Sequence, residues 1–160
     1  MNIQYDQLEG LIGRELGPSE YETITQESIA SFADITNDHY WLHVDNERAA
    51  STPFGTTIAH GFLTLAMISA LWPKLLWVTD SPMQMNYGLD RVRFTAPVLS
   101  GSRIRMMAKI VEITPTKGGC RIKVEQTLER ENEERPALVA TILMEIARPD
   151  GSPGHGDPNH

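Results

Sequence analysis

A single cysteine, Cys120, stands among 160 residues. An intrachain disulfide is therefore impossible, and so is a cysteine-rich zinc site. Basic charge is also scarce: 14 Lys and Arg against 21 Asp and Glu leave a net charge of −7. That balance argues against a nucleic-acid module, which needs clustered positive charge to displace phosphate counterions. A small anionic ligand held by a few local groups stays open. The opening residues, Met1 to Gly10, lack the basic-then-apolar order of a secretory signal. The longest apolar stretch, Ile58 to Val78, is interrupted by His60, Gly61, Thr64, Ser69, Pro73 and Lys74, too often for a membrane span. The expectation is a cytoplasmic protein with no membrane or nucleic-acid partner.

What is present fits one domain with a real core. Hydrophobic residues make up 41% and charged residues 22%, an ordinary folded composition. A composition break falls near Arg148. From Pro149 to His160 there is no aliphatic or aromatic residue, so this stretch cannot bury enough surface to offset its ordering entropy. The expected organisation is one domain over 1–148 and a flexible Gly/Pro-rich tail over 149–160. The tail histidines, His155 and His160, lack rigid partners and read as incidental.

The first half reads as helical. Thr25 is a good N-cap, followed by Gln26 and Glu27, and Ile29, Phe32, Ala33 and Ile35 make an apolar stripe at helical spacing. Asn37-Asp38 ends it as a polar turn pair. Asp45 caps a second, short helix over Asn46 to Ala50. From Ile58 to about Trp72 the chain is apolar on nearly every side, the pattern of a helix buried all round, and Pro73 should stop or kink it.

The second half reads as long strands: Met83 to Thr95, Ser102 to Val111, a strand after the Lys117-Gly118-Gly119 turn, and Ala137 to Ile146. Ile104, Met106, Ala108 and Ile110 share one face, with Arg103, Arg105 and Lys109 on the other. Ile122, Val124 and Leu128 alternate with Arg121, Lys123, Glu125 and Glu129. An antiparallel sheet with one apolar face, curled around the apolar helix, gives an α+β plan.

Chemistry concentrates in two places. Asp38 and His43 are five apart, which points them about 140° apart on a helix and to opposite faces of a strand. They share a site only if the backbone turns between them, and Asn37-Asp38 is where such a turn belongs. The bland alternative, with Asp38 capping a turn and His43 satisfied in the core, stays open at this point. Gly61, beside His60, opens the buried helix. A free N–H at a helix start can hold a thioester oxygen as negative charge develops on it, or Gly61 can simply permit tight packing. His39 and His43 have zinc-like spacing only on a helix, and Trp41 with the polar turn before it argues against one, so no metal is expected. Arg91, Arg93, Arg103, Arg105 and Lys109 are candidates for an anionic ligand or for a plain solvated face. Met67, Leu71, Trp72, Leu75, Leu76, Trp77 and Met83 suit either a pocket or the core.

Four blocks in order, Thr23 to Asp34, Asn37 to Asp45, Pro53 to Phe62 and Asn86 to Phe94, resemble the MaoC-like hydratases, nearest the single-domain (R)-specific enoyl-CoA hydratase branch that includes nodulation protein N. The resemblance runs from about Glu20 to Arg148. It implies a hot-dog fold, a long central helix wrapped by an antiparallel sheet, usually in a homodimer. It implies addition of water to a trans-2-enoyl-CoA, with Asp38 and His43 activating the water, the Gly61 N–H on the thioester carbonyl, and no cofactor. One position departs: Tyr40 stands where the family has Asn or Gln. Its ring either supplies a hydroxyl to the site or only packs beside Trp41. Tyr40 and His60 are kept as candidate substrate-binding residues. An impaired acyl-CoA-binding protein and an acyl-CoA thioesterase are the alternatives, because the fold does not decide among them.

Overall fold

Thr25 begins the first helix as its side chain predicts, its hydroxyl accepting the Ser28 N–H. In the computed structural model, which describes residues 1–150, helix α1 runs Gln26–Thr36, α2 Trp41–Val44, α3 Asn46–Ala50 and α4 Gly61–Leu75. Beyond Asp150 the expected tail, with His155 and His160, lies outside the described residues. Asp45 caps α3 by accepting the Arg48 N–H. Among the described residues, no helix is long and apolar enough to cross a membrane.

Four long strands follow α4: β5 Gln84–Phe94, β6 Arg103–Thr116, β7 Gly119–Arg130 and β8 Leu138–Ala147. They make an antiparallel sheet in the order β6-β7-β8-β5. Two short strands from the first quarter of the chain, β2 Glu15–Leu16 and β3 Glu22–Thr23, pair along the outer side of β6. Two more, β1 Asn2–Ile3 and β4 Trp77–Val78, pair in parallel apart from the sheet. None of these three pairings is visible in the sequence, because two-residue strands carry no periodicity.

The alternation in β6, β7 and β8 sends one set of side chains into the core. Ile104, Met106, Ile110, Ile122, Val124, Leu128 and Leu138 are completely buried, each contributing roughly 1.5–3 kcal/mol relative to exposure. Leu63, Ile68, Leu71, Trp72 and Leu75 of α4 join the same core. The outer face carries the charge as cross-strand pairs: Arg103 with Glu131, Arg105 with Glu129, Arg121 with Glu145, and Lys123 with Asp90 and Glu112.

Three expectations for α4 need correction. The helix starts at Gly61, three residues later than the apolar run, because Ile58 and Ala59 are extended and bond to Leu42 and Val98. Pro73 does not stop it: the helix continues to Leu75, and Leu76 N–H still bonds to Trp72 O. Nor is α4 buried on every side. Phe62 is 71% exposed, and Ala66, Ser69 and Ala70 also face outward. A single sheet has one concave face to offer, so one stripe of the helix stays uncovered.

Candidate active site

The bend that the Asp38–His43 spacing requires is present. At the end of α1, Asn37 takes a left-handed conformation (φ 56°), which the short Asn side chain tolerates. The Asn37 and Asp38 N–H groups both bond to Ala33 O. The chain then leaves the helix, and Asp38 Oδ1 accepts the Tyr40 N–H at 3.4 Å. Tyr40 precedes the one-turn helix α2, which carries His43. A helix at Trp41 was not expected; the polar turn ends just before it, and one turn suffices to redirect His43.

His43 is held from several directions. Its Nδ1–H donates to Ile58 O at 2.7 Å, which leaves Nε2 with a free lone pair. Gln26 Nε2 donates to His43 O at 2.9 Å, and the Ile58 N–H bonds to Leu42 O. Gln26 is fixed in turn by Thr57, which is fully buried and whose hydroxyl donates to Gln26 Oε1 in a very short hydrogen bond. Asn46 Oδ1 lies 3.3 Å from the same hydroxyl. Gln26, Thr57 and Asn46 come from three segments, and no spacing rule in the sequence singles them out.

His60 is only 3% exposed. Its ring stacks on that of His43, with centroids 3.8 Å apart and planes at 28°. Nε2 donates to Asp38 O at 2.9 Å and lies 4.0 Å from Asp38 Oδ2. Its buried Nδ1 has no partner among the described residues. One donor atom each from Asp38, His43 and His60 lie within 4.8 Å of one another. His39 stands apart, exposed and bonded to Asp34. The cluster is a poor metal cradle. Stacked imidazoles direct their in-plane lone pairs side by side, whereas zinc-type coordination needs them to converge at about 2.0–2.1 Å. The separation suits water better. Two hydrogen bonds of about 2.8 Å from one tetrahedral oxygen span roughly 4.5 Å.

Gly61 follows at the first turn of α4, where its N–H makes no hydrogen bond among the described residues. A Cβ at this position would sit 3.2 Å from the Phe94 ring, so the glycine also permits close packing of helix on sheet. Gly61, Thr64, Phe94 and Ala137 line a cleft of about 390 Å³. A second, separate cleft of about 270 Å³ lies farther along α4, between Leu65, Ile68, Leu89 and Ile142.

Tyr40 is 54% exposed. Its ring lies 5.5 Å from that of Trp41 and 6.0 Å from that of His43, and its hydroxyl makes no hydrogen bond among the described residues. Arg103 and Arg105 are engaged by carboxylates and stack near Tyr21, whereas Arg91, Arg93 and Lys109 have no ion pair among the described residues. Of the expected pocket residues, Leu71, Trp72, Leu75 and Leu76 belong to the core and Trp77 and Met83 are exposed. The clefts are lined instead by Thr64, Leu65 and Ile68 of the same helix.

Residues 7–134 match the family described as MaoC like domain. A 3-hydroxyacyl-thioester dehydratase Z of Mycobacterium tuberculosis is 46% identical over 133 residues, covering 82% of this chain and 88% of its own. A nodulation protein N of Rhizobium leguminosarum bv. viciae is 49% identical over 141 residues, covering 84% and 86%. Among solved structures, the unliganded R-hydratase PhaJ1 of Pseudomonas aeruginosa superposes with a TM-score of 0.75 at 25% identity, covering 92% of this chain and 87% of that one.

Proposed function

The chain belongs to the MaoC-like dehydratase family, and from that membership we propose that it is an (R)-specific enoyl-CoA hydratase, adding water reversibly across a trans-2-enoyl-CoA to give the (R)-3-hydroxyacyl-CoA. The observation that carries the reading is the Asp38–His43 pair: a carboxylate oxygen and an imidazole nitrogen within 4.8 Å of each other, with the unpartnered Gly61 N–H next along the chain from His60.

In this reading the water sits between Asp38 and His43. Asp38 accepts one hydrogen bond from it and sets its orientation. As the oxygen attacks C3, the other proton passes to His43 Nε2, which the Nδ1–H bond to Ile58 O keeps as the accepting nitrogen. The electrons of the double bond move toward the thioester oxygen, where the Gly61 N–H stabilises the growing charge. A proton then returns to C2, so one water is consumed and the site regains its starting charge. Tyr40 contributes its backbone N–H to Asp38, a bond any residue but proline could make there.

The second subunit enters for a physical reason. Among the described residues strand β5 bonds only to β8, on one side, and its Met85, Tyr87, Leu89 and Phe94 are exposed, as is Phe62 of α4. A free edge with an apolar surface invites a second copy, which would extend the sheet and cover the open stripe of α4.

Absorbance of a crotonyl-CoA solution tests the function. Loss of the conjugated enoyl band without thiol release means hydration. Thiol release means a thioesterase, and no change across several chain lengths means a binding protein.

A further inference from the structure

The inward face of β7 reads Cys120, Ile122, Val124, Gln126, Leu128, and all five are buried. Gln126 breaks the apolar row. It is 2% exposed, and neither its Oε1 nor its Nε2 has a hydrogen-bond partner among the described residues. A carboxamide brings two donors and two acceptor sites into the core, and native cores pair such groups. Leaving both ends unpaired is costly enough to need a reason.

The surroundings supply one. The residues paired with Gln126 across the sheet are Ala108 on β6 and Ala140 on β8, the smallest side chains on this face. Each presents only a methyl group beside the amide. Directly opposed residues share a face, with Cβ atoms about 4.5–5.5 Å apart. Ala140 also occupies a particular place on β8. Ala137, just before the strand, lines the cleft at Gly61, and Ile142 lines the second cleft along α4. Ala140 lies between them, opposite Val92 of β5. It keeps 6% exposure where Leu138 has none. An acyl chain anchored at the Gly61 N–H and laid toward the second cleft would cross β8 at Ala140, whose cross-strand neighbour on β7 is Gln126.

We infer that Gln126 determines acyl-chain specificity: its amide pairs with a hydroxyl or oxo group carried several carbons beyond the reacting double bond, so oxygenated 2-enoyl thioesters are preferred over plain alkyl ones. This rests on the hydratase reading above. The amide can both donate and accept, so it suits an alcohol or a ketone equally. A plain alkyl chain passing the same place leaves it unpaired, and a site built around a polar group discriminates strongly against a substrate lacking its partner.

The test compares kcat/KM for trans-2-octenoyl-CoA with that for its 6-, 7- and 8-hydroxy and -oxo analogues. The wild-type protein should favour at least one oxygenated analogue by about tenfold or more. Gln126→Leu, close in size and apolar, should abolish that preference while retaining turnover of octenoyl-CoA. Its melting temperature without substrate should not fall, since the amide has no internal partner to lose. A wild-type preference for the plain chain over every analogue overturns the inference, and this requires no variant to fold. So does an unchanged ratio in Gln126→Leu. A marked drop in melting temperature with an unchanged ratio assigns the amide to a structural water instead. Failure of the wild-type protein to hydrate octenoyl-CoA or crotonyl-CoA would sink the hydratase reading itself, a distinct result.

Discussion

Thr57→Val removes one hydroxyl from behind the site and keeps the side chain's shape. In the native protein that hydroxyl donates to Gln26 Oε1, and Gln26 Nε2 holds the carbonyl of His43. Valine leaves Gln26 Oε1 without its donor. An unsatisfied buried acceptor costs about 1–3 kcal/mol. Gln26 is only half-buried and Asn46 is exposed, so water can reach part of the loss, and the lower range of about 1–2 kcal/mol applies. For a chain of this length each kcal/mol moves the melting temperature by about 2–4 °C, which gives a fall of about 2–8 °C. The kinetic effect is separate. With its Gln26 anchor loosened, α2 no longer fixes the direction of His43 Nε2, so kcat should fall by about tenfold with KM little changed. Thr57→Ser separates the two effects. Serine restores the hydroxyl and so should restore most of kcat, while the lost methyl still costs about 0.8 kcal/mol of stability. Differential scanning calorimetry and steady-state hydration of crotonyl-CoA read the two quantities. Wild-type kcat in Thr57→Val would refute the claim that this network positions His43, whatever the melting temperature did.

Asp38→Asn and His43→Gln should each lower kcat by about 10²-fold or more, with circular dichroism showing an intact fold; near-parental turnover in either removes that residue from the mechanism. Tyr40→Phe should leave kcat/KM within about twofold, because the hydroxyl it deletes makes no hydrogen bond; a tenfold loss would place the phenol in the reaction. Sedimentation velocity should show a particle of twice the 17.9 kDa chain mass, and Leu89→Lys on the free edge of β5 should shift it toward the single chain. Burial, followed by a hydrogen bond with Cys120, pushes the Tyr5 hydroxyl up from 10.0 to about 12, and burial likewise raises the Cys120 thiol. In the unfolded chain both groups ionise at lower pH, so their contribution is complete below about pH 9 and is lost as pH rises toward 12. Urea titrations should show that decline, and Tyr5→Phe should flatten it between pH 10 and 12.

The sequence by itself determined the elements whose signal is local. Thr25 and Asp45 mark two helix starts because a side-chain oxygen three residues ahead of an N–H is a local relation. The alternation of Ile104, Met106, Ala108 and Ile110 against charged neighbours fixed the inward face of β6, since the strand period is two wherever one face is buried. Four ordered blocks resembling one family carried the fold, the reaction and the pairing of Asp38 with His43. Tertiary structure decided what depends on distant segments. It placed His60, the residue just before α4, against His43 and Asp38. It put Thr57 behind Gln26 across 31 residues of chain, and it let Pro73 sit inside a helix that local rules would have ended. It also left the Gln126 amide unpaired between two alanines. A lone glutamine in an alternating strand looks unremarkable until its neighbours on the adjacent strands are known. Side-chain pairing across a sheet is a property of register, and register is set by the whole domain.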